Sequence, residues 1–407
     1  MNEMAESPAQ KPRAHPRLRR TFLIIACALV ALVGILAVAF GPRLFGDQLD
    51  QKALAEFYDA PAEVAGEPGS IVRIEPLQGH PFDAMAWRIL YRTTDVNGAP
   101  QLASGVVITP NGDAPDGGRT VLAWGHPTTG SARDCAPSRG FDPFLDIEGL
   151  RMLLDRGYTV VATDYVGMGV AGPDSYLVGD TAAHSMLDAV RAARAIEEAD
   201  AGASVVLWGH SQGGQAALFA AEYAPTYAPE LRIDAVAVAA PAAELGSLMQ
   251  AHLDDVSGAT IGSYAFRSYA DVYRDRGADL ATILTPGARE ILPEMNALCL
   301  LSDLDELHKI AEPVVGKFFL SDPTTTEPWA TLLRENSAGA LTFDAPLFVA
   351  QGLKDQLVVP DSTKQFAQAQ REHGMDVTYH PIALADHGTV AYLALIALEE
   401  WLDAQGV

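Results

Sequence analysis

From Thr120 onward the sequence repeats a pattern that few folds can accommodate: a short apolar run without alternation, then a longer stretch with helical periodicity. The runs TVLAW, YTVVATD and SVVLWG are separated by helix-like stretches over Pro143–Arg156 and Thr181–Ala199. A strand with one wet face alternates polar and apolar residues, so runs that do not alternate predict strands covered on both faces, as in a parallel sheet with helices on either side. Upstream, Ser70–Glu75, Ala84–Thr93 and Gln101–Thr109 alternate or carry β-branched residues, and Asn97-Gly98 between the last two signals a hairpin. The expected fold class is therefore α/β, with an antiparallel opening and a mostly parallel sheet.

A further buried run, Ala235–Ala240, follows a helix predicted over Gln215–Ala224, and then the rhythm stops. Residues 241–340 hold amphipathic stretches such as Ala270–Ile283, Ala288–Leu301 and Leu304–Phe319 and no buried strand, which predicts a helical insertion. The rhythm resumes with Pro346–Gln351, a helix over Ser362–His373, Asp376–Ile382 and a closing helix over Thr389–Asp403. The expected core is thus 70–240 joined to 341–407.

The strand SVVLW runs directly into Gly209-His210-Ser211-Gln212-Gly213-Gly214, after which a helix begins. As a bare pattern G-x-S-x-G is weak; between a strand and a helix it describes a sharp turn that raises a serine hydroxyl above the sheet edge. A serine hydroxyl is a poor nucleophile near neutral pH. It needs a histidine base, and the histidine needs a carboxylate to fix its tautomer. Chain order on such a fold puts the acid after a later strand and the base after the last one. Asp355 lies four residues beyond Pro346–Gln351, whereas Asp361 reads as a helix N-cap and Asp344 precedes the strand. His387 stands between the last strand and the last helix. His184, His252 and His308 fall in helical stretches, His373 at a helix end, His380 inside a strand and His15 in the N-terminal arm, and Asp386 is expected to point to solvent. Two N–H groups must also face the developing oxyanion. Gln212, next after the serine, supplies one; in the loop Gly125-His126-Pro127-Thr128-Thr129-Gly130, Pro127 has no N–H, so Thr128 is the candidate for the other.

GHPTTG, Asp134-Cys135-Ala136-Pro137-Ser138, DYVGMGVAGPDSYLVGD, GHSQGG, a helical cap and the late Asp355 and His387 together resemble the secretory lipase family of α/β-hydrolases, over about Ser70 to Trp401. The resemblance implies the α/β-hydrolase fold, hydrolysis of acyl esters, often glycerides, and a cap that forms the acyl-binding wall. The family's oxyanion loop carries glycine where Pro127 stands here. Two other functions use parts of the same pattern: a serine peptidase or amidase would share the triad, and a non-catalytic binding module would be expected to have lost some of it. Gly167-Met168-Gly169-Val170-Ala171-Gly172 matches a dinucleotide fingerprint, but Pro173-Asp174-Ser175 stops a helix from starting there, so no cofactor is expected. No ligand spacing points to a metal.

The 28 Lys plus Arg against 52 Asp plus Glu give a net charge of -24. Lys11, Arg13, Arg17, Arg19 and Arg20 sit in the first twenty residues, so the body is more acidic still. Such a body repels phosphate backbones and anionic lipid, which excludes nucleic acid as a partner and leaves neutral substrates open; the resemblance above implies a neutral acyl ester or lipid. Thr21–Phe40 carries no charge and is long enough to cross a bilayer. With residues 1–20 as a basic cytoplasmic arm, it reads as a membrane anchor or a signal peptide that exports the rest, with 41–69 as a lead-in. Ala37-Val38-Ala39 keeps cleavage open. Cys135 and Cys299 are the only cysteines outside that segment, and an exported location is oxidising, so a disulfide between them is expected.

Overall fold

The structure, a computed structural model, describes residues 54–61, 64–81 and 83–407. The basic arm, the apolar stretch 21–40 and most of the lead-in lie outside the described residues. Among those described, no helix is long and apolar enough to cross a membrane.

Among the described residues, nine strands form one sheet: β1 (Ile71–Pro76), β2 (Ala84–Thr94), β3 (Pro100–Pro110), β4 (Arg119–Gly125), β5 (Thr159–Thr163), β6 (Ala201–His210), β7 (Arg232–Ala239), β8 (Leu347–Gly352) and β9 (Val377–Ile382). Their order is β1-β2-β3-β5-β4-β6-β7-β8-β9. The first three strands and the β3–β5 pair are antiparallel, and every pair from β5 to β9 is parallel. In the hairpin joining β2 and β3, the Asp95 carboxylate accepts from the amides of Asn97 and Ala99, and Gly98 takes φ 73°.

The unalternating runs are explained by where their side chains go. Along β6, Val205 and Leu207 enter one hydrophobic cluster while Val206 and Trp208 enter another on the opposite face. The first cluster is completed by helices α2 (Gly179–Arg194) and α3 (Gln212–Tyr227), the second by α1 (Leu150–Asp155) and the closing helix α10 (Val390–Gln405). Each fully buried Val or Leu contributes roughly 1.5–3 kcal/mol, so a strand loaded on both faces is held much more firmly than one loaded on a single face.

Between β7 and β8, no described residue belongs to a strand. Helices α4 (Leu245–Ala251), α5 (Val256–Val272), α6 (Pro286–Met295), α7 (Leu304–Ala311) and α8 (Trp329–Glu335) occupy the insertion, and α9 (Pro360–Glu372) follows β8. They bury Phe266, Tyr264, Tyr269 and Trp329 in a separate cluster that also takes in Tyr176, Leu177 and Val178.

Several expected elements are corrected. The helix expected over Pro143–Arg156 begins only at Leu150: the Asp142 side chain accepts from the Phe144 amide, and Gly149 has φ 90°, so the first half is a series of turns. The stretch Ala270–Ile283 is the end of α5, which stops at Val272, followed by two short 3-10 turns, the first of them capped by Gly277 with φ 82°. α7 stops at Ala311, since Pro313 has no N–H to continue it. Asp361 is not an N-cap: Val359 holds that position, Pro360 opens α9, and Asp361 sits in the first turn.

Candidate active site

Ser211 follows the last residue of β6 and precedes the first of α3, with φ 55° and ψ -116°. Positive φ is costly for a residue with a Cβ and persists only where the surroundings fix it. Here the Ser211 amide donates to the Ala239 carbonyl, and its own carbonyl accepts from the amides of Ala242 and Gln215. The neighbouring glycines are required by close approach: a Cβ on Gly209 would lie 2.0 Å from the Gly213 carbonyl oxygen, and one on Gly213 would lie 1.8 Å from that of Gly125.

Two residues from late in the chain, His387 and Asp355, converge on this turn. His387 Nε2 lies 3.0 Å from Ser211 Oγ, and His387 Nδ1 lies 2.8 Å from Asp355 Oδ2. A carboxylate can only accept, so the neutral ring carries its hydrogen on Nδ1 and offers the Nε2 lone pair to the serine hydroxyl. Asp355 is buried, and its Oδ1 accepts from the amides of Leu357 and Val358, each at 2.9 Å. Asp386, beside the histidine, is exposed and instead accepts from the amide and hydroxyl of Thr389, which hold its carboxyl below the usual range.

Gln212 is the first residue of α3, so its amide has no acceptor within the helix. Gln212 and Thr128 both line one cavity, and Thr128 is buried there with its hydroxyl 2.7 Å from that of Tyr176. The ring of His126 is fixed by donation from Nδ1 to the Pro127 carbonyl at 2.7 Å, and burial lowers its pKa. The cavity has a volume of about 310 Å³. Ser211 and His387 line it together with Leu245, Leu248, Met249, Ile261, Ala265 and Leu333 from the insertion.

Cys135 and Cys299 are joined in a disulfide that links the loop after β4 to the insertion. The turn Gly167–Gly172 carries no helix; the next one begins at Gly179. Among the described residues, no three His, Cys, Asp or Glu side chains cluster as metal ligands would. His380 stacks on Phe348 with ring centroids 5.8 Å apart, and His184 stacks on Tyr227 at 3.8 Å.

Two residues at the site were missed by sequence reasoning. His210 Nδ1 lies 3.1 Å from Glu148 Oε1, both side chains are buried on the cavity wall, and the His210 ring is 5.0 Å from that of His387. His210 was visible in the motif. Glu148 was hidden because it lay inside a helix that does not form; the Trp208 indole N–H, donating to its carbonyl, fixes it in a turn instead.

The chain matches the secretory lipase family over residues 140–405. It is 23% identical to a probable inactive lipase of Mycobacterium tuberculosis over 366 residues, covering 85% of this chain and 80% of the relative. It is 28% identical to Lipase 6 of Candida albicans over 346 residues, 76% of this chain and 72% of that protein. The solved structure of Candida antarctica lipase A in its closed state superposes with a TM-score of 0.72 at 18% identity, covering 86% of this chain and 84% of the other, a likeness of fold. Since the family match spans more than half of its length, this chain belongs to the secretory lipase family of α/β-hydrolases, a family of ester hydrolases.

Proposed function

We infer that this protein is a carboxylic ester hydrolase of the lipase type, acting through an acyl-enzyme on Ser211. The observation that carries the reading is the continuous hydrogen-bond relay Asp355–His387–Ser211, with links of 2.8 and 3.0 Å. Ser211 Oγ attacks the ester carbonyl carbon while His387 Nε2 takes its proton, and the carbonyl π pair moves onto oxygen. The amides of Gln212 and Thr128 hold that oxyanion, each contributing on the order of 3 kcal/mol. Collapse breaks the bond to the alcohol, which leaves with the proton returned by His387. Water, deprotonated by the same ring, then releases the acid and restores the serine. Asp355 keeps the ring in the tautomer that can accept, and stabilises the imidazolium once formed.

The apolar side of the cavity favours a neutral acyl chain lying against the insertion, which thus serves as cap and acyl wall. One relative is named as inactive, but Ser211, His387 and Asp355 are all present here within hydrogen-bond reach of one another. Export of the catalytic body, with residues 21–40 as anchor or leader, is supported by the basic arm before that segment and by the Cys135–Cys299 bond. The mass of the exported protein distinguishes the two forms.

Ser211→Ala is expected to lower kcat on a p-nitrophenyl ester by at least ~10⁴-fold while leaving the melting temperature within a few degrees. Retained turnover in a folded variant would falsify the assignment. Matched ester and amide substrates separate the esterase from an amidase.

A further inference from the structure

His252 is the C-terminal cap residue of α4, buried at the point where the first two helices of the insertion meet. Both of its ring nitrogens are engaged. Nδ1 lies 2.7 Å from Asp255 Oδ2, and Nε2 lies 2.8 Å from the backbone carbonyl oxygen of Leu357. A carbonyl oxygen only accepts, so Nε2 must donate. The Asp255 carboxylate also accepts the Gly258 amide at 3.0 Å, as N-cap of α5, so one side chain ties His252 to the start of that helix.

The far end of this connection matters because of what Leu357 does. Its carbonyl receives His252, and its amide donates to Asp355 Oδ1 at 2.9 Å. One residue of the acid loop is therefore held by the insertion on one side while it holds the catalytic carboxylate on the other. The packing beneath is close: a Cβ on Gly258 would lie 1.8 Å from the His252 carbonyl oxygen, so the start of α5 can approach only with glycine there.

We propose that His252 is a positioning residue for the reaction: it clamps the junction of α4 and α5 to the loop bearing Asp355, so that the insertion and the carboxylate of the relay keep one fixed spacing. The inference rests on the ester-hydrolase reading above. Its consequence is kinetic. Loosening the clamp lets the Asp355 carboxylate drift from His387 Nδ1, which slows proton transfer at Ser211 without removing any group that touches the substrate's carbonyl.

The test measures kcat and KM on a p-nitrophenyl ester, per site titrated with an organophosphonate, for His252→Phe, His252→Gln and Asp255→Asn. Displacements of the order of 1 Å can cost up to about 100-fold, so His252→Phe is expected to lower kcat about tenfold with KM within about threefold. His252→Gln keeps an amide N–H for the Leu357 carbonyl and should recover kcat to within about threefold of the wild type. Asp255→Asn still accepts from Gly258 but loses the charge, and should reduce kcat in the same direction by a smaller factor, which keeps the proposal testable if the phenylalanine variant does not fold. Unchanged kcat per titrated site in His252→Phe, a change confined to KM, a glutamine variant no better than phenylalanine, or a wild-type kcat in Asp255→Asn would each overturn the clamp. Turnover surviving in Ser211→Ala would instead overturn the ester-hydrolase reading itself.

Discussion

The sheet and the helical insertion bury apolar side chains by different rules, and the difference assigns them different work. In β4, β6 and β8, successive residues enter opposite clusters, as Val121 and Leu122, Val205 and Val206, and Leu347 and Phe348 do, so backbone position alone decides which layer a residue joins. The insertion has no such lattice. Its interior gathers Tyr264, Phe266 and Tyr269 from α5 with Trp329 from α8, and its inward face leaves Ile261 and Leu248 only partly buried on the cavity wall. A lattice of this kind holds its loops in register, which a proton relay needs; the insertion can vary apolar lining residues such as Ile261 and Leu248 without disturbing the relay, so long as the His252 contact to the acid loop is kept.

If the chemistry belongs to the sheet edge, Asp355→Asn should cost nearly as much as losing the serine. An amide cannot hold the accepting tautomer of His387, so a fall in kcat of about 10³–10⁴-fold is expected with little change in melting temperature. A drop below tenfold would mean that the carboxylate is not the ring's orienting group. The disulfide tests how far the two regions depend on one another. Cys135 and Cys299 are separated by 164 residues, and replacing both with serine should destabilise by about 2–5 kcal/mol, read as a lower denaturant midpoint.

Glu222 on α3 tests the seam from the other side. It accepts the Gly339 amide at 2.6 Å where the chain returns from the insertion, yet burial outweighs that bond and pushes its carboxyl up to about 7. A carboxyl whose folded pKa is raised binds more protons when folded, so its contribution is complete below the unfolded value and is lost as pH rises through about 7. The wild type should lose ~2–3 kcal/mol from this group between pH 4 and pH 8, and Glu222→Gln should flatten that part of the profile. Burial raises Asp174 in the same sense, so a residual slope is expected to remain. The smallest effect is expected in the insertion: Ile261→Ala should change melting by under ~1.5 kcal/mol while shifting the preferred acyl length among p-nitrophenyl esters. A shift in kcat equal for all chain lengths would break the division of labour.

The same contrast governs how much could be read from the sequence. Runs such as SVVLWG are legible because burial on both faces leaves no room for polar residues, and the glycines around Ser211 are legible because backbone crowding at the turn excludes any Cβ. The order of Asp355 and His387 follows from where a parallel sheet delivers its loops. The insertion was legible only as helical. Its longest helix, Val256–Val272, begins at a readable N-cap, Asp255, but its Ser, Gly and Tyr content blurs the apolar stripe, and the clearer stripe over Ala270–Ile283 runs across Gly277. Glu148 could not be placed because its turn is fixed by an indole sixty residues away in sequence.

Ester hydrolysis by this protein requires a reactive hydroxyl at residue 211, and covalent labelling tests this most directly. After treatment with a fluorophosphonate, peptide mass spectrometry should find one adduct, on the peptide carrying Ser211, formed in step with the loss of esterase activity and absent from Ser211→Ala. Loss of activity with the adduct on another residue, or full activity with Ser211 labelled, would contradict it.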